Sequence, residues 1–137
     1  MMSYLLDTNV IFELAKKTPS KKVLTWFEPV GNERLFVSAL TLGEIQKGVE
    51  RLPNSAKKTK LQVWLENELL TWFEGRVLAV DAGVADCWGR LEAQCKRPLP
   101  AIDLLLAATA IHHDLSLVTR NTKDFDIIAL RLINPFV

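Results

Sequence analysis

The feature that most restricts the fold of this 137-residue chain is a repeated change of hydrophobic period. Short apolar runs recur at Ser3–Leu6, Leu35–Val37, Val77–Val80, Leu117–Thr119 and Leu132–Asn134. Between them lie longer stretches whose apolar residues repeat at helical spacing. Runs with little polar alternation suit strands covered on both faces. Strands separated by helices pair in parallel, with the helices packed on the sheet. The pattern therefore predicts an α/β fold with a central parallel sheet of about five strands.

The helical stretches carry their own boundaries. The first runs through Val10, Ile11, Leu14 and Ala15, and Thr18-Pro19-Ser20 breaks it. Ser20 is placed to cap a second helix through Val23, Leu24 and Phe27. A third spans about Leu40 to Arg51. A long fourth spans Ala56 to Phe73, after a Ser55 cap, and stops at Gly75. Asp81 caps a fifth from Ala82 to about Cys95. Pro98-Leu99-Pro100 is a rigid connector into a sixth, Ala101 to His113, and a short helical turn falls near Lys123–Phe125. With 49% apolar residues, no internal repeat and no linker, residues 1–137 read as one domain.

Charge and cysteine usage narrow the class. A net charge of +1 argues against a basic coat for indiscriminate nucleic-acid binding. No basic leader and no membrane-length apolar stretch is visible, so the expected location is the cytoplasm. Cys87 and Cys95 stand eight apart on one helix, about 12 Å, too far for a disulfide, and read as reduced thiols.

Four polar positions follow strands or open helices: Asp7, Glu44, Asp103 and the segment Thr119-Arg120-Asn121 with Asp124. In a doubly wound sheet these points share the carboxyl edge, where ligands bind. Each acid alone has a structural explanation. Asp7 suits an N-cap, Thr41-Leu42-Gly43-Glu44 fits a capping box, and Asp103 suits the positive end of a helix dipole. Together they suit a hard cation, because clustered carboxylates repel one another without one. Carboxylates that hold magnesium or manganese, with no nucleophilic side chain, point to hydrolysis of a phosphodiester.

Four blocks then show a resemblance. They are Leu5-Leu6-Asp7-Thr8-Asn9-Val10, Ser38-Ala39-Leu40-Thr41-Leu42-Gly43-Glu44-Ile45, Pro100 to Ala110, and Leu117-Val118-Thr119-Arg120-Asn121-Thr122-Lys123-Asp124-Phe125. In this order and spacing the chain resembles the PIN-domain ribonucleases, most closely the VapC-type toxins of toxin–antitoxin pairs. The resemblance implies a three-layer α/β/α domain, usually a homodimer, with Mg2+- or Mn2+-dependent endoribonuclease activity. It implies Asp7, Glu44 and Asp103 as metal ligands, Thr8 and Asn9 bonded within the site, and Thr119 in support. A fourth acid common in the family is replaced by Asn121, so either Asn121 or Asp124 completes the site.

The partners the resemblance implies are RNA, with tRNA the first to test, and a small antitoxin whose C-terminal tail crosses the active-site groove. Trp26, Phe27, Val63 and Trp64 are candidates to line an antitoxin groove, with ordinary core packing the alternative. Arg120 is the leading candidate for a phosphate contact, ahead of Lys47, Arg51, Lys96 and Arg97. The run Lys57, Lys58 and Lys60 reads as a solvated face. His112-His113 reads as a helix C-terminal pair rather than a metal site. The alternative function is a PIN-like RNA-binding or RNA-processing protein with weak catalysis or no toxin role.

Overall fold

The computed structural model describes residues 2–127 and 129–137. Its strands are β1 (Tyr4–Leu6), β2 (Leu35–Ser38), β3 (Val77–Leu78), β4 (Ser116–Val118) and β5 (Leu132–Ile133). Its helices are α1 (Thr8–Ala15), α2 (Lys21–Phe27), α3 (Ala39–Glu50), α4 (Ala56–Val63), α5 (Leu70–Trp72), α6 (Ala82–Gln94) and α7 (Ala101–His112). Single 3-10 turns occupy Asn32–Arg34 and Thr122–Asp124. The five strands form one sheet in the order β3-β2-β1-β4-β5, every pair parallel.

Alternation along the strands divides the core into two layers. Leu6, Val37 and Val118 point to one face and pack with Val10, Ile11, Ile45, Leu65, Leu69 and Phe73. Leu5 and Leu117 point to the other and pack with Leu106, Ala107 and Ala110 of α7. A residue shift of one along a strand changes the face, so β1 and β4 each feed both cores. The expected sheet covered on both faces is thereby observed.

Two elements differ from the sequence pattern for local reasons. The third strand ends at Leu78 rather than Val80. It is an edge strand whose partner, β2, stops at Ser38 opposite Leu78, where α3 begins. The expected long helix from Ala56 is continuous to Trp72, but Trp64–Leu69 is wound as a π-helix. Leu61, Leu65, Leu69 and Phe73 all face the same core at a strict four-residue spacing. That spacing overshoots a 3.6-residue turn by about 40° per step, and the wider π winding takes up the drift.

Helix starts were legible, but two caps work differently. Ser55 and Asp81 accept from the Lys58 and Val84 amides as expected. Gly75 ends α5's segment with φ 78°, a conformation few other residues adopt. Ser20 stands before α2, yet its side chain makes no cap bond. Its amide instead donates to Oε2 of Glu13, 2.9 Å away, while Lys16 Nζ donates to Oε1 at 2.9 Å. Glu13 is a buried acid that fastens the turn between α1 and α2.

The capping box expected at Thr41–Glu44 is absent. The helix starts three residues earlier, at Ala39, and Ser38 is its cap, with Oγ accepting from the Leu40 amide at 3.0 Å. Thr41 is thus inside α3, fully buried, with a hydroxyl that has no partner. Glu44, freed from capping, sits in the second turn.

Two measurements check this account. Ser38→Ala is expected to cost about 1 kcal/mol of stability, the usual worth of an N-cap. Thr41→Val is expected to be neutral or stabilising, because it removes an unpaired buried hydroxyl. Chemical denaturation showing a loss for Thr41→Val as large as that for Ser38→Ala would contradict the cap assignment. For Glu13, the Lys16 and Ser20 hydrogen bonds hold the carboxyl below its ordinary range. Its contribution is therefore full at about pH 7 and fades as pH falls through and below the ordinary glutamate value of about 4.3. The stability gap between the parent and Glu13→Gln should close on acidification; a gap that widens there contradicts the assignment.

Candidate active site at the switch point

Strand order reverses between β1 and β4: the chain builds outward from β1 through β2 and β3, then returns to β1's other side. In open parallel sheets the crevice at such a reversal is where ligands bind. Leu6 pairs with Val118 in register, so the next residues, Asp7 and Thr119, emerge side by side. Both are buried. The Asp7 amide donates to the Val118 carbonyl at 3.0 Å, extending the ladder by one bond.

Three donors orient the Asp7 carboxylate. Thr119 Oγ1 donates to Oδ2 at 2.8 Å, the Thr8 amide donates to Oδ1 at 2.7 Å, and Asn9 Nδ2 lies 3.5 Å from Oδ2. Asp7 is therefore the N-cap of α1 and the centre of a polar network at once. Asn9 Nδ2 also donates to Thr119 Oγ1 at 3.3 Å, and Asn9 Oδ1 accepts from the Arg120 amide at 3.1 Å. The Asn121 amide donates to Thr119 Oγ1 at 3.1 Å. Residues 110 or more apart in sequence thus meet around one hydroxyl and one carboxylate.

Glu44 and Asp103 approach the same carboxylate from α3 and α7. Partial burial, then the charges of Asp7 and Asp103, raise the Glu44 carboxyl above its ordinary range; Lys47, one turn on, opposes this. Burial, then Asp7 and Asp124, raise Asp103 likewise. Three acids on separate elements therefore feel one another across the edge, while Asp124 is exposed and acts on Asp103 from outside. Among the described residues no three metal-binding side chains already converge on one point. The donor set still fits a hard divalent cation. It is all oxygen, its members repel one another, and the adjoining buried Thr8 hydroxyl has no partner.

The remaining candidates divide. Arg120 adjoins the site through its backbone, but its guanidinium has two partners: Glu13 Oε1 at 3.6 Å and the Phe136 ring, 3.8 Å to the centroid. Glu13 and Asn134 are network members that sequence reading missed; an acid one turn after Asn9 on an apolar helix was the available signal. Lys47 is the cation whose charge reaches Glu44. Lys58 is spent on the Glu50 carbonyl. His112 and His113 end α7, at its far end from Asp103, and their charge acts on Asp81. Cys87 and Cys95 are free.

An apolar groove of about 400 Å³ opens beside α1 and α2, lined by Ile11, Leu14, Phe27, Trp64, Leu69 and Trp72, with Glu68 at its wall. Two of the four expected lining residues are there. Trp26 instead packs edge-on between Tyr4 and Phe27, with centroids 4.9 and 4.8 Å away, and Val63 is half-exposed outside the lining.

Comparison with known proteins agrees with this geometry. The family model for the PIN domain matches residues 4–130. A relative described as a VapC ribonuclease, from Sinorhizobium fredii, is 37% identical over 96% of both chains. The toxin FitB of Neisseria gonorrhoeae is 36% identical over 96% of this chain and 97% of its own. A crystal structure of FitA–FitB from that organism superimposes with a TM-score of 0.89 at 35% identity, covering 97% of this chain and 98% of the other. A DNA-bound VapB–VapC structure from Salmonella typhimurium gives 0.80 at 26% identity over 98% and 99%. Motif order, strand order and these full-length matches agree: the chain belongs to the PIN-domain family, among its VapC-type toxin relatives.

Proposed function

We propose that this protein is a metal-dependent endoribonuclease that acts as the toxin of a toxin–antitoxin pair. The observation that carries the reading is the triple-anchored Asp7 carboxylate at the switch point, whose charge reaches Glu44 on α3 and Asp103 on α7. The VapC ribonucleases among its relatives support the RNA substrate. Net charge near neutral is compatible, since a cation in the site offsets the acids facing a phosphate backbone.

Asp7, Glu44 and Asp103 would hold Mg2+, or Mn2+ in its place. When bound, such a cation supplies charge stabilisation for displacement at phosphorus and makes water more acidic. The chain's own residues do the positioning. Thr119 and the Thr8 amide fix both oxygens of Asp7, so that its orientation costs nothing when substrate arrives. Asn9 fixes the spacing between the exits of β1 and β4. Asn121 shares the Thr119 hydroxyl through its amide, and Asp124 reaches the site only through its charge on Asp103. A water held at Asn121 is the simplest completion of the site.

The groove supports an antitoxin partner whose segment offers apolar side chains to Phe27, Trp64 and Trp72. Relatives solved as FitA–FitB and VapB–VapC pairs support a cognate antitoxin here. A homodimer and a cytoplasmic location complete the reading; among the described residues no helix is long and apolar enough to cross a membrane.

Asp7→Asn and Asp103→Asn are expected to reduce RNA cleavage to background with the fold intact by circular dichroism, and chelation should silence the parent until magnesium is restored. Cleavage by Asp7→Asn at the parental rate, or cleavage indifferent to chelator, sinks the proposal. Retained RNA binding with no cleavage by the parent would favour the binding-module alternative. In a fluorescence titration with the antitoxin encoded beside it, Trp64→Ala is expected to weaken binding by about tenfold or more, as for an aromatic anchor. Unchanged affinity would remove the groove from the partner interface.

A further inference from the structure

Arg120 follows Thr119 directly and is held at four points. Its amide donates to Asn9 Oδ1 at 3.1 Å, and its carbonyl accepts from Asn134 Nδ2 at 3.3 Å. Its guanidinium lies 3.6 Å from Glu13 Oε1 and 3.8 Å over the Phe136 ring. Asn9 and Glu13 stand four apart on α1, so they present one face toward the β4 exit. Asn134 and Phe136 belong to the chain's last segment, and Asn134 Oδ1 accepts from the Phe136 amide at 3.0 Å, which folds that segment back.

The geometry points to a positioning residue. We propose that Arg120, gripped between Glu13 and Phe136, clamps the β4 exit to α1 and thereby sets the Thr119–Asn9–Asp7 geometry; this rests on the nuclease reading above. A planar guanidinium can stack on an aromatic face while its edge meets a carboxylate; an ammonium cannot do both. Glu13 is itself held by Lys16 and Ser20, so one end of the clamp is rigid. The other end, Phe136, makes the C-terminal segment part of the active-site architecture although it contributes no acid. The guanidinium stays about half exposed, so a phosphate contact is the competing role that the test separates from the clamp.

The test compares the parent with Arg120→Ala, Arg120→Lys, Phe136→Leu and Glu13→Gln. Steady-state RNA cleavage at saturating magnesium is measured beside amide hydrogen exchange of Asn121, whose N–H is bonded to Thr119. Arg120→Ala and Phe136→Leu are expected to lower kcat by about 10- to 100-fold, the usual cost of losing a residue that orients a ligand. KM for RNA should stay within about twofold. Exchange at Asn121 should accelerate more than exchange in α7, and Arg120→Lys should restore little. A raised KM with unchanged kcat, unaltered by Glu13→Gln or Phe136→Leu, assigns Arg120 to phosphate and overturns the proposal. So does loss of thermal stability with no selective change at Asn121. If the parent cleaves no RNA, the nuclease reading fails on its own, and the Asn121 exchange still decides the clamp. Phe136→Leu keeps an apolar side chain there, so the clamp stays testable where Arg120→Ala fails to fold.

Discussion

The hydrogen bond from Thr119 Oγ1 to Asp7 Oδ2 is the contact on which the rest of this site depends. It is buried, charge-assisted and formed across the one seam where strand order reverses. A carboxylate placed there loses much of its hydration, and the loss is tolerable only because a hydroxyl, a backbone amide and an asparagine replace the water. The arrangement orients both carboxylate oxygens before any ligand arrives.

That constraint propagates outward. β1 and β4 must end in register for Asp7 and Thr119 to meet, and both are central strands sealed by a core on each face. Asn9 then ties α1 to the β4 exit, and Glu13 ties the same helix to α2 and to Arg120. Ser38, not Thr41, starts α3, which moves Glu44 from a capping role into the second turn, on the acidic edge. Partial burial, and after it the charges of the neighbouring acids, raise the Glu44 and Asp103 carboxyls on that edge. The apolar groove lies off this edge, on the α1–α2 side, and α1 borders both surfaces.

The fold and the site were legible to different depths. Five apolar runs and the intervening helical periods sufficed for the parallel sheet, because a strand buried on both faces leaves little room for another pattern. Element ends were less legible where they depend on a neighbour. The third strand is cut short because β2 turns into a helix beside it. The long helix changes winding because its core-facing residues repeat every four positions. Asp7, Glu44 and Asp103 were identifiable as acids at strand ends and helix starts, whereas the role of Glu13 was not, since besides its local partners Lys16 and Ser20 it meets Arg120, more than a hundred positions away.

By itself the sequence determined the order of strands and helices, the alternation that builds two cores, and which acids can reach the carboxyl edge. These are properties of local period and of residue type, which short stretches carry alone. The tertiary structure decided which of those residues share hydrogen bonds. It gave Thr119 to Asp7 and Arg120 to Glu13 and Phe136, and it took Thr41 out of the capping box. Those outcomes depend on strand register and on the closing of the chain's last segment over the β4 exit. No local pattern encodes them, because each joins groups brought together only when the sheet is complete.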